Sequence, residues 1–155
     1  MLKKPNLNAN DMDVHDIEYL VCHVGNLWRR LLGVKIKSLG VTVVEKRVLF
    51  AIARHPGLTQ IQIANLLELE PQNLVRTLDK LESQHWIQKC NDPNDRRVKC
   101  LSVTKEAEKI IAQIKELSNS IKPQILAGMN EKEAQAVVKY LADIRENLFR
   151  ELGEG

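Results

Sequence analysis

The sequence predicts a mainly α-helical fold with one small β-hairpin, and three observations point there. Apolar residues recur at helical spacing through most of the chain. Between Trp86 and Val103 the pattern shortens to the strand period around Asn91-Asp92-Pro93-Asn94-Asp95, a dense run of turn formers. Three signatures of the form Thr/Asn-x-x-Glu/Gln stand just ahead of apolar helical runs, where paired side chains satisfy the free N–H groups of a helix start.

Taken in order, Leu20, Val21, Val24, Leu27, Trp28 and Leu31 predict an amphipathic first helix over about 14–38, weakened by Gly25 and Gly33 and ended by Gly40. Thr42-x-x-Glu45 opens a second helix with Val48, Leu49 and Ile52 inward, which stops at Pro56-Gly57. Thr59-x-x-Gln62 opens a short third helix with Ile61, Ala64 and Leu67 inward. Pro71, in a first-turn position where its missing N–H does no harm, opens a fourth, PQNLVRTLDKLESQ. Strands follow at 86–90 and 98–103. Thr104 caps a fifth helix, which carries Ile110, Ile114, Leu117 and Ile121 as far as Pro123, and Asn130-x-x-Glu133 opens a sixth with Val137, Val138, Leu141, Ile144 and Leu148. Helices one, five and six present more apolar face than so small a chain can cover, so a homodimer built on them is expected.

At 155 residues, 44% hydrophobic and 28% charged, the chain has the size and composition of one folded unit. No apolar run approaches the roughly 20 residues of a membrane span, and MLKKPNLNANDMD lacks the apolar stretch of a signal peptide, so a cytoplasmic protein without membrane contact is expected. Cys22, Cys90 and Cys100 form an odd set without a C-x-x-C pair, which fits a reducing compartment. The net charge of +3 is mild, so any nucleic-acid surface has to be local.

Such a surface is legible on the fourth helix. At about 100° per residue, Leu74, Val75, Leu78 and Leu81 share one arc. Gln72, Asn73, Arg76 and Lys80 occupy the other, with Thr77 at its edge. Arg pairs bidentately with guanine, Asn or Gln with adenine, and Lys supplies charge to phosphate. A polar face alone is what most helices show. Its company is more specific: a short helix before it and a hairpin after it whose tip carries Asp95, Arg96 and Arg97, with Lys99 further along. Helix-turn-helix plus wing is the simplest reading, with a wing arginine suited to the concentrated negative potential of a narrow minor groove. Asp95 could orient one arginine and leave the other for the groove.

QIQIANLLELEPQNLVRTLDKLES, followed by WIQKC, NDPNDRRVK and CLSVTKEAE, resembles the MarR family of transcriptional regulators, most closely its SlyA-type members. The wing matches the pattern D-x-R followed by a hydrophobic residue and Thr, here Asp95, Arg97, Val103 and Thr104. The resemblance spans about 14–152 and implies a DNA-binding lobe over 41–104, dimerisation helices over 14–38 and 105–152, and an N-terminal extension over 1–13. It implies a homodimer on pseudo-palindromic double-stranded DNA that represses or activates transcription and responds to a small phenolic or aromatic acid. By carry-over, Asn73 and Arg76 lead in base reading and Arg97 leads at the wing tip, with Arg96 a rival. Two positions depart from the pattern: Glu68 and His85 stand where relatives place Gly, which takes left-handed backbone angles without penalty.

Other chemistries find less support. His15, His23, His55 and His85 make no H-E-x-x-H pair, and neither a G-x-S-x-G motif nor a phosphate-binding glycine loop is present, so no enzyme and no cofactor are expected. Asp11, Asp13, His15 and Asp16 read as a helix N-cap rather than a metal site. Some relatives sense oxidants through a cysteine in helix one, where Cys22 lies, and Cys90 and Cys100 are about equidistant from the hairpin turn. Packed, inert thiols are the expectation, with redox sensing the alternative. Trp28, on the apolar face beside Arg29 and Arg30, reads as core or dimer interface rather than anion pocket. A winged helix that serves only as a protein-interaction module would have no reason to keep both Arg76 and the Arg96-Arg97 wing.

Overall fold

The computed structural model describes residues 11–91 and 99–153, in the element order the spacing predicts. The helices are α1 (Ile17–Ile36), α2 (Val43–Arg54), α3 (Gln60–Leu67), α4 (Pro71–Ser83), α5 (Ala107–Ile125) and α6 (Glu131–Leu152), and the strands are β1 (Ile87–Asn91) and β2 (Lys99–Val103). Two compact units result, Met1–Leu117 and Ser118–Gly155.

Side-chain capping sets most helix starts. Thr42 Oγ1 accepts the Glu45 N–H while Glu45 accepts the Thr42 N–H, and the same reciprocal boxes close at Thr59/Gln62 and Asn130/Glu133. The predicted first helix is shorter than expected. Its ends tighten into 3-10 turns at Val14–Asp16 and Lys37–Leu39, before Gly40 turns the chain at φ 69°. The first turn is drawn in by a box between Asp13 and Asp16, so this acidic cluster is occupied in capping. Conversely, α5 runs past its predicted stop. Pro123 lies in its last turn, where losing one N–H removes a single bond, and the Leu126 N–H still reaches Lys122 O at 2.9 Å.

The core of the first unit gathers Leu32 and Ile36 of α1, Val48, Leu49 and Ile52 of α2, Ile63 of α3, Leu74, Leu78 and Leu81 of α4, and Ile87 and Leu101 of the hairpin, all under 5% exposed. Ile61, predicted inward, is instead exposed, because α3 turns Ile63 and Ala64 to the core. Gly33 lets α1 and α2 approach closely: a Cβ there would lie 2.8 Å from Val43 Cγ2. Beyond Leu32 and Ile36, α1 leaves Val21, Val24, Leu27 and Leu31 exposed. In the second unit α6 has no buried residue, and Val137, Val138, Leu141 and Leu148 are exposed along it.

The hairpin is antiparallel with Ile87 opposite Val103, Lys89 opposite Leu101 and Cys90 opposite Cys100. Its base is held by a segment the sequence marks only as a helix stop. Gly57, at φ 92°, donates to Leu101 O at 3.2 Å, and Leu101 donates back to Leu58 O at 2.9 Å, so the α2–α3 turn lies along β2 as a third, partial strand.

Candidate nucleic-acid interface

The α4 helix is amphipathic because its apolar residues fall three and four apart, and those residues dock it on α2. With Leu74, Leu78 and Leu81 buried, Gln72, Asn73 and Arg76 point to solvent along one exposed stripe. Thr77 is half-buried and donates from Oγ1 to Asn73 O at 2.8 Å, which leaves its oxygen only as an acceptor for an outside group. Val75, predicted to face inward, is 41% exposed. It sits one 100° step past the buried Leu74 and falls outside the contact with α2. Beside Gln72 and Arg76, it adds an apolar surface of the kind that meets a thymine methyl.

Lys80 is engaged inside the protein. Its Nζ donates to Glu45 Oε1 at 2.7 Å, and Glu45, only 6% exposed, uses Oε2 to accept the Thr42 N–H at 3.0 Å. Both oxygens of the buried carboxylate are thus partnered, and α4 is tied to the start of α2. A second tie from α2 runs from Arg47 Nη2 to Leu67 O at 2.7 Å and anchors the end of α3. Together they set both helices of the helix-turn-helix against one support. Neither tie is visible as a motif, because each joins residues far apart in the chain.

The two positions where glycine was expected show why it is favoured there. Glu68 (φ 50°) and His85 (φ 59°) are the only non-glycine residues with positive φ among those described. Each occupies the left-handed position of a Schellman motif. The Leu69 N–H reaches Ala64 O and the Glu68 N–H reaches Asn65 O at the end of α3, while the Trp86 N–H reaches Leu81 O and the His85 N–H reaches Glu82 O at the end of α4. The corner after α4 is further fixed by Thr104, which donates to His85 O and accepts the Ala107 N–H, and by a 2.7 Å ion pair between Lys89 of β1 and Glu82. Glu82 raises the Lys89 pKa above its ordinary value by hydrogen bond and charge, against a smaller opposing effect of burial.

Asp95, Arg96 and Arg97 lie outside the described residues, but the strands carrying them do not. Cys22 and Cys90, expected as packed thiols, are exposed, while Cys100 is buried. On α1, Trp28 is half-buried. Among the described residues no cluster has the make-up of a metal site, and no helix is long and apolar enough to cross a membrane.

A tri-helical support, a helix with a polar outer stripe and a hairpin docked beside it define a winged helix-turn-helix protein. A family model described as the MarR family matches residues 39–98, which hold all of α2, α3, α4 and β1. The fold is similar to a crystal structure of MarR, at 24% identity over 97% of this chain and 100% of that one, with a TM-score of 0.78. It is also similar to the transcriptional regulator PA3341, at 30% identity over 86% and 98% with a TM-score of 0.74. A MarR variant from E. coli in complex with operator DNA matches at 22% identity over 86% and 99%, with a TM-score of 0.69. The chain belongs to the MarR family, a family of transcriptional regulators rather than enzymes.

Proposed function

We propose that this protein is a sequence-specific transcriptional regulator that binds pseudo-palindromic operator DNA as a homodimer. The observation that carries the reading is the outer stripe of α4. Gln72, Asn73 and Arg76 are exposed together on a helix whose opposite face is fully buried and whose azimuth is held by Glu45–Lys80. Groups able to read base edges are thereby presented on a rigid element. Asn73 and Arg76 are the leading base readers, Gln72 and Val75 flank them, and Thr77 accepts a hydrogen bond at the rim. Lys80 contributes mainly by holding α4, with its half-exposed stem near the phosphates. At the wing, Arg97 leads as the minor-groove residue with Arg96 its rival, and Asp95 pairs with the arginine that stays outside the groove. Exposed apolar residues on α1 and α6 support the dimer, since a monomer would leave both faces in water.

The family membership and the likeness to the operator-bound MarR variant support the DNA partner, and the resemblance of QIQIANLLELEPQNLVRTLDKLES and the segments after it supports the SlyA-type assignment. The modulator in this reading is a small phenolic or aromatic acid, as the family resemblance implies. The test is selection of bound sequences from random duplex DNA by the purified protein. A palindromic consensus with half-sites about one helical turn apart is expected. Enrichment of no sequence over background would overturn the reading.

A further inference from the structure

We propose that Cys90 and Cys100 form a redox-responsive dithiol across the strands of the wing, closed by an intrachain disulfide on exposure to a hydroperoxide. The pair is set by register: Cys90 and Cys100 are direct antiparallel partners, so their side chains project from the same face of the hairpin. Cys90 Sγ already lies 3.6 Å from Cys100 O and 3.7 Å from Ser102 Oγ, leaning across toward β2. The Thr104 N–H bonds Trp86 O at 3.0 Å, and since hydrogen-bonded pairs recur at every second residue, four residues along each strand Cys90/Cys100 is again a hydrogen-bonded pair. Such partners have Cα atoms about 5.5 Å apart, inside the range a disulfide spans.

The two thiols differ in access in the way a two-step oxidation needs. Cys90 is exposed, whereas Cys100 is 3% exposed. The accessible thiolate meets the oxidant and the sheltered one resolves the product. Attack of the Cys90 thiolate on a peroxide oxygen breaks the O–O bond, expels alkoxide or hydroxide that takes up a proton, and leaves Cys90 as a sulfenic acid. The Cys100 thiolate then attacks that sulfur, forms the S–S bond and expels hydroxide, which leaves as water with the proton Cys100 released. The two thiols lose two electrons and the hydroperoxide gains them. A cross-link between hydrogen-bonded partners must draw the Cβ atoms closer than the ladder holds them, so it distorts the hairpin and reduces readily, as regulatory disulfides do.

The bond closes the segment holding Asp95, Arg96 and Arg97, and its effect on DNA rests on the operator-binding reading above. The test treats the full protein with hydrogen peroxide in the absence of DNA, blocks remaining thiols, and digests with trypsin under non-reducing conditions. A peptide beginning at Cys90 joined to one beginning at Cys100 is expected, lighter by two hydrogens than the sum, with thiols falling from three per chain to the one of Cys22. Cys90→Ser, at an exposed position, should abolish the product. In Cys100→Ser, Cys90 should stop at a sulfenic acid that dimedone traps. Oxidised wild type should then bind the selected operator about tenfold more weakly, the scale of one lost groove contact, with recovery on adding dithiothreitol and no change in Cys90→Ser. Intact thiols at both positions, or Cys90 found only in cross-links to Cys22, would overturn the dithiol. A cross-linked protein with unchanged affinity would overturn the switch. Failure of the reduced protein to bind any operator would instead strike the functional reading, because the peptide measurement uses no DNA.

Discussion

Replacing Lys80 by Ala is expected to destabilise the protein by about 2 kcal/mol, an amount that follows from how unequally the pair with Glu45 is buried. The Glu45 side chain is 8% exposed and that of Lys80 45%, with 2.7 Å between Nζ and Oε1. At that separation the attraction is about 1.5 kcal/mol in bulk water and about 6 kcal/mol at an effective dielectric of 20. Partial exposure of the ammonium places the pair toward the lower figure. Removing Lys80 strands a buried carboxylate with only the Thr42 N–H, a loss below the roughly 3 to 5 kcal/mol of a fully buried broken pair and near the worth of a charged hydrogen bond. Glu45→Gln costs less, since the amide oxygen still accepts from Thr42 and Lys80 can turn to water. Urea unfolding at one fixed protein concentration measures both, and the double variant closes the cycle with a coupling energy of about 1 to 2 kcal/mol. A loss in Lys80→Ala within about 0.5 kcal/mol, combined with a flatter salt dependence of DNA binding, would show that the ammonium serves phosphate and not Glu45.

Substitutions at Gly33, Glu68 and Lys46, with their controls, test separate parts of the structure. Gly33→Ala should cost about 1 to 3 kcal/mol, because the new Cβ meets Val43 Cγ2 at 2.8 Å, whereas Gly25→Ala, with nothing nearer than 4.0 Å, should not lower the melting temperature. Glu68→Gly should stabilise by about 0.5 to 1 kcal/mol in the same urea assay by relieving a left-handed side-chain residue, and Glu68→Ala should not. Lys46 holds its proton less tightly when folded than the usual value of 10.5, through burial and then the charge of Arg54. The unfolded chain therefore binds more protons as pH rises between the folded value and 10.5, so stability should climb in that window, and Lys46→Met should flatten the climb and raise the melting temperature at pH 7.

The features legible in the sequence are those that act within a few residues. Thr42/Glu45, Thr59/Gln62 and Asn130/Glu133 announce helix starts because each box needs only a four-residue window. Gln72, Asn73 and Arg76 emerge on the outer face because the helical period suffices to place them opposite Leu74 and Leu78. The resemblance to relatives with Gly marked Glu68 and His85, and both adopt the left-handed angles. What the spacing could not supply depends on distant partners. Arg47 reaches Leu67 O, Lys80 reaches Glu45, and Gly57 pairs with Leu101, contacts made only once α2, α3, α4 and β2 are assembled. Val75 and Ile61 lie at the margins of their apolar arcs, where the tilt of a packed helix, and not its periodicity, decides exposure.

The outer stripe of α4 is tested most directly by titrating the selected operator and a scrambled duplex with wild-type protein and Arg76→Ala at several salt concentrations. Arg76→Ala should lose about 1 to 3 kcal/mol on the operator, discriminate less between bases at one position of each half-site, and bind the scrambled duplex nearly as the wild type does. Equal operator affinity and unchanged base preference in the two proteins would show that α4 does not read the sequence.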